Sequence, residues 1–153
     1  MTDGSSTGSN GRRNPSAEGE SIDDVPVLQR TSVDTGALIS IETSDATAWC
    51  PYEGTADYYT LRIEYWPDGY AVELMSFRDY LQTFRDEEIG HEEYTKRVYN
   101  DLVTVLEPEW LRLVVEAPPR YGLDMTLRHQ TGPKPEPIQD SETAIQVTGG
   151  EQP

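Results

Sequence analysis

One cysteine, Cys50, is too few for an intrachain disulfide, and no Cys-His cluster has zinc-finger spacing. The two histidines, His91 and His129, lie far apart and share no ligand motif, so no metal site is expected. Lys96 and Lys134 are the only lysines, and no basic run exceeds Arg12-Arg13 or Lys96-Arg97. Strong nucleic-acid binding needs clustered cations that displace phosphate counterions, and that footprint is missing. Apolar runs are short too: none approaches the ~20 residues that span a bilayer. The opening MTDGSSTGSNGRR lacks the apolar stretch of a secretory signal. A cytoplasmic protein without membrane segments is the expectation. There is also no Gly-rich phosphate loop and no Ser-His-Asp motif.

Negative charge is what the sequence has in excess. Twenty-eight acidic and 12 basic residues give a formal net charge of -16. Self-repulsion on that scale strains a compact domain at ordinary ionic strength. At high salt the screening length shrinks to roughly 3 Å and the repulsion fades. Few lysines and acidic stretches such as DEEIGHEE at 86–93 fit a salt-loaded cytoplasm, and a halophilic protein is expected.

Residues 1–34 are dominated by Ser, Gly, Asn and acids, and read as a disordered tail. Residues 131–153, with three prolines between Pro133 and Pro137, read as a second. The domain is expected between them, at 35–130. Ala37 to Ile41 is strand-like, and Ser44 to Asp57 carries turn residues. Tyr58 to Trp66 is β-branched and aromatic with partial alternation, a strand signal. After the turn Pro67-Asp68-Gly69 and a short apolar piece, the period changes. Phe77, Tyr80, Leu81 and Phe84 mark one face of a helix that Ser76 is placed to cap. Tyr94, Val98, Leu102 and Val105 mark a second helix, from His91 to Leu106. Strands at 110–116 and 123–128 follow, joined by a Pro-Pro-Arg-Tyr-Gly turn. The order ββααββ predicts an α+β domain: an antiparallel sheet with two helices on one face. Such a sheet leaves edges to protect, which favours a homo-oligomer.

Four features have chemical potential. Cys50, between Trp49 and Pro51, sits where a loop joins two strands, a common place for a reactive group. Asp57 precedes a strand, and a carboxylate beside a thiol can move protons during attack and collapse; it also suits a turn. His91-Glu92 opens the second helix, where acids suit the dipole. A carboxylate there can also accept two parallel hydrogen bonds from a guanine-like edge. Arg78 and Arg120 suit phosphate or carboxylate groups, or serve as ordinary surface charge. From the residues alone this is a candidate thiol enzyme with no named reaction.

The combination resembles the 7-cyano-7-deazaguanine reductase (QueF) family. CPYEGTADYYTLRIEYWP is similar to its Cys-Pro, turn and Asp-before-strand segment. VELMSFRDYLQTFR lies where the family has Val-Glu-Ser-Lys-Ser-Leu-Lys-Leu-Tyr and then Phe-Arg. His91-Glu92 matches its His-Glu, and PPRYG its Pro-Arg-Gly-Gly. The resemblance runs from Cys50 to about Gly122 without gaps. It implies a tunnelling fold (T-fold) whose subunits join sheets and build sites at their interfaces. It also implies a mechanism in which Cys50 attacks the nitrile carbon and Asp57 protonates the nitrogen. Glu92 would grip the deazaguanine ring, with His91 and Glu73 lining the pocket. NADPH, held by Ser76, Arg78 and Arg120, would then reduce the thioimide on the route to queuosine. Two family lysines are Met75 and Arg78 here, and the loss at Met75 weakens the NADPH site. A related archaeal branch resembles the chain in its Cys, Asp and His-Glu elements; it uses ammonia to turn the nitrile on tRNA into the amidine of archaeosine. The reductase is the expected reading, the amidinotransferase its alternative, and a catalytically silent purine-binding module the third.

Overall fold

The odd-numbered residues from Asp57 to Tyr65 are all buried, as a strand with one face against a core requires. They belong to a computed structural model that describes residues 19–135. Among those residues, seven strands and two helices run in the order β1 (Glu20–Ile22), β2 (Val25–Ser32), β3 (Ile39–Trp49), β4 (Ala56–Trp66), β5 (Tyr70–Val72), α1 (Leu74–Gln82), α2 (His91–Leu106), β6 (Trp110–Arg120) and β7 (Leu123–Gln130). An antiparallel four-stranded sheet has the order β3-β4-β6-β7. A second sheet, β1-β2-β5, is also antiparallel. The predicted ββααββ series is present as β3, β4, α1, α2, β6 and β7, with three further strands added.

Register follows the hydrophobic pattern. Leu61, Ile63 and Tyr65 on β4 pair with Val115, Leu113 and Leu111 on β6, and all six are fully buried. A one-residue slip would turn that set outward. On α2, Tyr94, Val98, Leu102 and Val105 form the core stripe anticipated from their spacing. Burying each aliphatic side chain contributes roughly 1.5–3 kcal/mol. The helix ends at Glu107, whose N–H makes the last i→i−4 bond, to the Val103 carbonyl, and whose left-handed backbone (φ 47°) then turns the chain out of the helix.

Several local expectations are corrected. The predicted tail contains β1 and β2 and supplies Val25 and Leu28 to the core. Their sequence is polar because β2 buries only a minority of its side chains. Residues 1–18 and 136–153, the rest of the two predicted tails, lie outside the described residues. Thr131 still pairs with Leu111, and the Gly132 carbonyl accepts from the Trp110 indole, so the second tail's opening residues continue the sheet. Residues 44–49 are strand rather than turn: β3 passes through an irregularity between Thr43 and Ala46 and continues to Trp49. The cap of α1 is Glu73, whose carboxylate accepts from the N–H groups of Ser76 (2.7 Å) and Met75 (3.3 Å). Ser76 lies inside the helix, its hydroxyl accepting from Gln29 N–H and donating to the Glu73 carbonyl.

Candidate active site

Cys50 follows β3, and the chain reverses immediately. Its N–H donates to the Thr55 carbonyl at 2.8 Å, and its carbonyl accepts from Gly54, which has φ 65°. The end of β3 is tied to the segment before α2: Trp49 N–H donates to Glu87, and Ile89 N–H to Trp49. Those bonds set the first residues of α2, His91 and Glu92, beside the cysteine turn. Asp57, inside β4 rather than ahead of it, enters from the adjacent strand. Arg120, the last residue of β6, enters from the next.

The five converge on one cavity of about 280 Å³, lined also by Tyr52, Glu53 and Tyr121. Cys50 is buried yet stands apart from the hydrophobic core cluster. Its sulfur accepts from Glu53 N–H at 3.4 Å. Asp57 is fully buried; Oδ1 accepts from the Arg120 guanidinium, while Oδ2 has no hydrogen-bond partner among the described residues and lies 3.8 Å from His91 Nδ1. Burial works to lower the Arg120 pKa, but hydrogen bonding with Cys50 and the charges of Asp57 and Glu53 outweigh it, and the net shift is upward. The cation therefore stays charged between the thiol and the acid. Glu92 is exposed at the mouth, in the first turn of α2, where a carboxylate meets the positive helix end.

One participant escaped the sequence reading. Tyr59, two residues beyond Asp57 on the same face of β4, is buried, and its hydroxyl lies 2.9 Å from His91 Nδ1. Burial, with the Asp57 charge adding to it, pushes this phenol well above its ordinary value. The i, i+2 relation to Asp57 was the available signal.

Glu73, Ser76 and Arg78 gather elsewhere. Glu73 caps α1, Ser76 and Arg78 lie within it, and none lines the thiol cavity. Arg78 instead borders a more apolar cavity of about 240 Å³ with Ile41, Leu74 and Phe77. The fit to a phosphate-bearing cofactor there is narrow. Ser76 is buried with its hydroxyl engaged, and Met75 brings no charge. Arg78 is exposed and, among the described residues, pairs with Asp79 at 3.3 Å, a surface contact weak enough for a phosphate to displace. Arg120, expected beside the cofactor, lies in the thiol cavity with Asp57. No group of three His, Cys, Asp or Glu side chains suited to a metal occurs among the described residues, and no described helix is long and apolar enough to cross a membrane.

Residues 56–136, more than half of the chain, match the QueF-like protein family. The chain belongs to that family. The matched segment contains Asp57, His91, Glu92 and Arg120 and begins just after Cys50. Among curated QueF relatives, the NADPH-dependent 7-cyano-7-deazaguanine reductase of Prochlorococcus marinus (strain NATL2A) is 37% identical over 90 residues, 59% of this chain and 64% of that protein. The enzyme of the same name from Anaeromyxobacter dehalogenans (strain 2CP-C) is 37% identical over 97 residues, 63% of this chain and 80% of that one. The chain thus spans just under two thirds of the first relative and more of the second. Among solved structures, the apo archaeosine synthase QueF-Like superposes with a TM-score of 0.61 at 22% identity, covering 67% of this chain and all of that one. That likeness shows the fold, and the α+β architecture is that of a T-fold domain.

Proposed function

We propose that the protein captures the nitrile of 7-cyano-7-deazaguanine on Cys50 and reduces it to the aminomethyl group. The observation that carries the reading is the Cys50–Arg120–Asp57 cluster in one cavity, with the unpartnered Asp57 Oδ2 beside it. As the Cys50 sulfur adds to the nitrile carbon, the C≡N bond becomes C=N, and the thiol proton passes by way of the Asp57 carboxylate to the nitrogen, giving a thioimide. Holding the two groups in one cavity makes the addition effectively intramolecular. Glu92 accepts from the donor edge of the ring, and His91 lines the same wall. Arg78 would hold NADPH, two molecules of which would in turn supply one hydride each; with two protons these would convert the thioimide to the amine and return the Cys50 thiol. The names of the curated relatives support this outcome.

A second copy of the chain completes the site in this reading. Glu73 and Arg78 stand away from the cavity in one copy, β3 and β7 are the outer strands of the main sheet among the described residues, and Tyr121 and Leu123 are exposed near its mouth. In this reading a neighbour joined along those edges supplies Glu73 and Arg78 from its α1.

One observation favours the amidine-forming alternative: a single exposed cation, Arg78, on α1, with Ser76 buried and Met75 neutral. There ammonia adds to the thioimide carbon and Cys50 leaves as the thiol, giving an amidine on tRNA. The full chain at high salt is incubated with 7-cyano-7-deazaguanine, then with NADPH or, in a parallel arm, with ammonia and nitrile-bearing tRNA. Mass spectrometry should find the adduct on Cys50 and none in Cys50→Ala, with NADPH consumed as the nitrile disappears. Amidine on RNA with no NADPH oxidation moves the assignment to the alternative. Ligand binding without adduct or turnover returns it to a binding module.

A further inference from the structure

We propose that Tyr59 is a positioning residue that fixes His91 as the Nε2–H tautomer, making the histidine a hydrogen-bond donor on the cavity wall. This goes beyond the reaction proposed above and bears on how the same site recognises its ring.

The inference rests on donor and acceptor counting around Tyr59, a side chain that is 1% exposed. Its ring stacks on Tyr94 with centroids 4.4 Å apart and planes 10° from parallel, and meets the His91 ring edge-on at 5.5 Å. Those contacts hold the phenol oxygen in place, and its neighbour is His91 Nδ1 at 2.9 Å. A buried O–H needs an acceptor. If Nδ1 is unprotonated, Tyr59 donates to it and both groups are satisfied. If Nδ1 carries the hydrogen, it donates to the phenol oxygen, and the phenol hydrogen loses its acceptor. Leaving a buried donor unmade costs more than an average hydrogen bond contributes. Asp57 Oδ2 does not rescue the second arrangement: it has no hydrogen-bond partner among the described residues, so the phenol hydrogen does not reach it. The raised phenol pKa keeps Tyr59 protonated as the donor.

With Nδ1 facing inward, Nε2–H is the polar atom left on a ring that lines the cavity. Glu92, the next residue, is an acceptor only. Together they present a donor and an acceptor, complementary to a ring edge with a carbonyl beside N–H groups. The Nδ1–H tautomer would offer an acceptor at Nε2 instead, and two acceptors would repel the carbonyl. Tyr59 thereby sets which heterocycle edge the site accepts, without touching the ligand.

Long-range ¹H–¹⁵N correlation spectra of the full chain labelled at histidine, free of ligand, read the tautomer directly, with His129→Gln assigning the two rings. Wild type should show a protonated Nε2 and an unprotonated Nδ1 at His91. Tyr59→Phe retains both aromatic contacts and should give shifts averaged between the tautomers. A wild-type ring protonated at Nδ1, or an unchanged spectrum in Tyr59→Phe, overturns the proposal. Should Tyr59→Phe fail to fold, the wild-type spectrum still decides. In turnover, Tyr59→Phe should raise KM for the nitrile about tenfold, the scale of one hydrogen bond, with kcat changed less; a loss confined to kcat also counts against the assignment. Because the spectra need no substrate, failure of the nitrile reaction leaves the tautomer result standing, and the two claims separate.

Discussion

Replacing Arg120 by methionine keeps much of its length and removes its charge. Asp57 then faces a cavity wall with no cation, fully buried, with Oδ1 stripped of its donor and Oδ2 already unpartnered. Breaking a buried pair from one side costs about 3–5 kcal/mol, because the stranded charge keeps its desolvation penalty. The Arg120 side chain is 26% exposed, which admits some water to the pair, so about 3 kcal/mol is the expected loss. For a domain of this size that lowers the melting temperature by roughly 10 °C. Asp57→Asn in the same chain removes the charge that needed Arg120, and the double variant should recover most of the loss. Urea unfolding of wild type, both single variants and the double variant, at one protein concentration and one salt, closes the cycle. A loss below about 1 kcal/mol in Arg120→Met, the level of a surface pair, with no recovery in the double variant, would refute the claim that Arg120 neutralises a buried acid.

Two further outcomes follow from the same structure. Glu73→Ala removes the carboxylate that accepts from the first-turn N–H groups of α1, and thermal unfolding should register a loss of about 1 kcal/mol, with Glu73→Asp retaining part of the cap. With a formal net charge of -16, the melting temperature should climb as potassium chloride is raised from low to molar concentration; a flat or falling curve would remove the argument for adaptation to salt.

The helices were legible because their burial is one-sided. Phe77, Tyr80 and Leu81 on α1, and Tyr94 through Val105 on α2, repeat at helical spacing and all face the core. β4 was legible for the same reason at period two. β1 and β2 were not. Their residues are mostly polar, and their membership depends on pairing with β5 and on Leu28 filling a gap beneath the helices, neither of which leaves a local pattern. The cap of α1 was misread because Ser76 has the chemistry of a cap, while Glu73 has the position. Cys50, Asp57, His91 and Glu92 were named from sequence and meet in space. Arg120 was named for a different partner, since a turn arginine carries no mark of which acid it will face.

The contacts between β2 and α1 bear on where this chain can be shortened. Gln29 receives the Glu73 N–H on its carbonyl, and its own N–H is held by the Ser76 hydroxyl, so the start of α1 is stitched to a segment that looks like dispensable leader. Trimming at residue 35, where composition changes, would unseat Leu28, strip β5 of its neighbour and leave the first turn of α1 unsupported. An expression boundary chosen by eye would cut through the protein's own foundation.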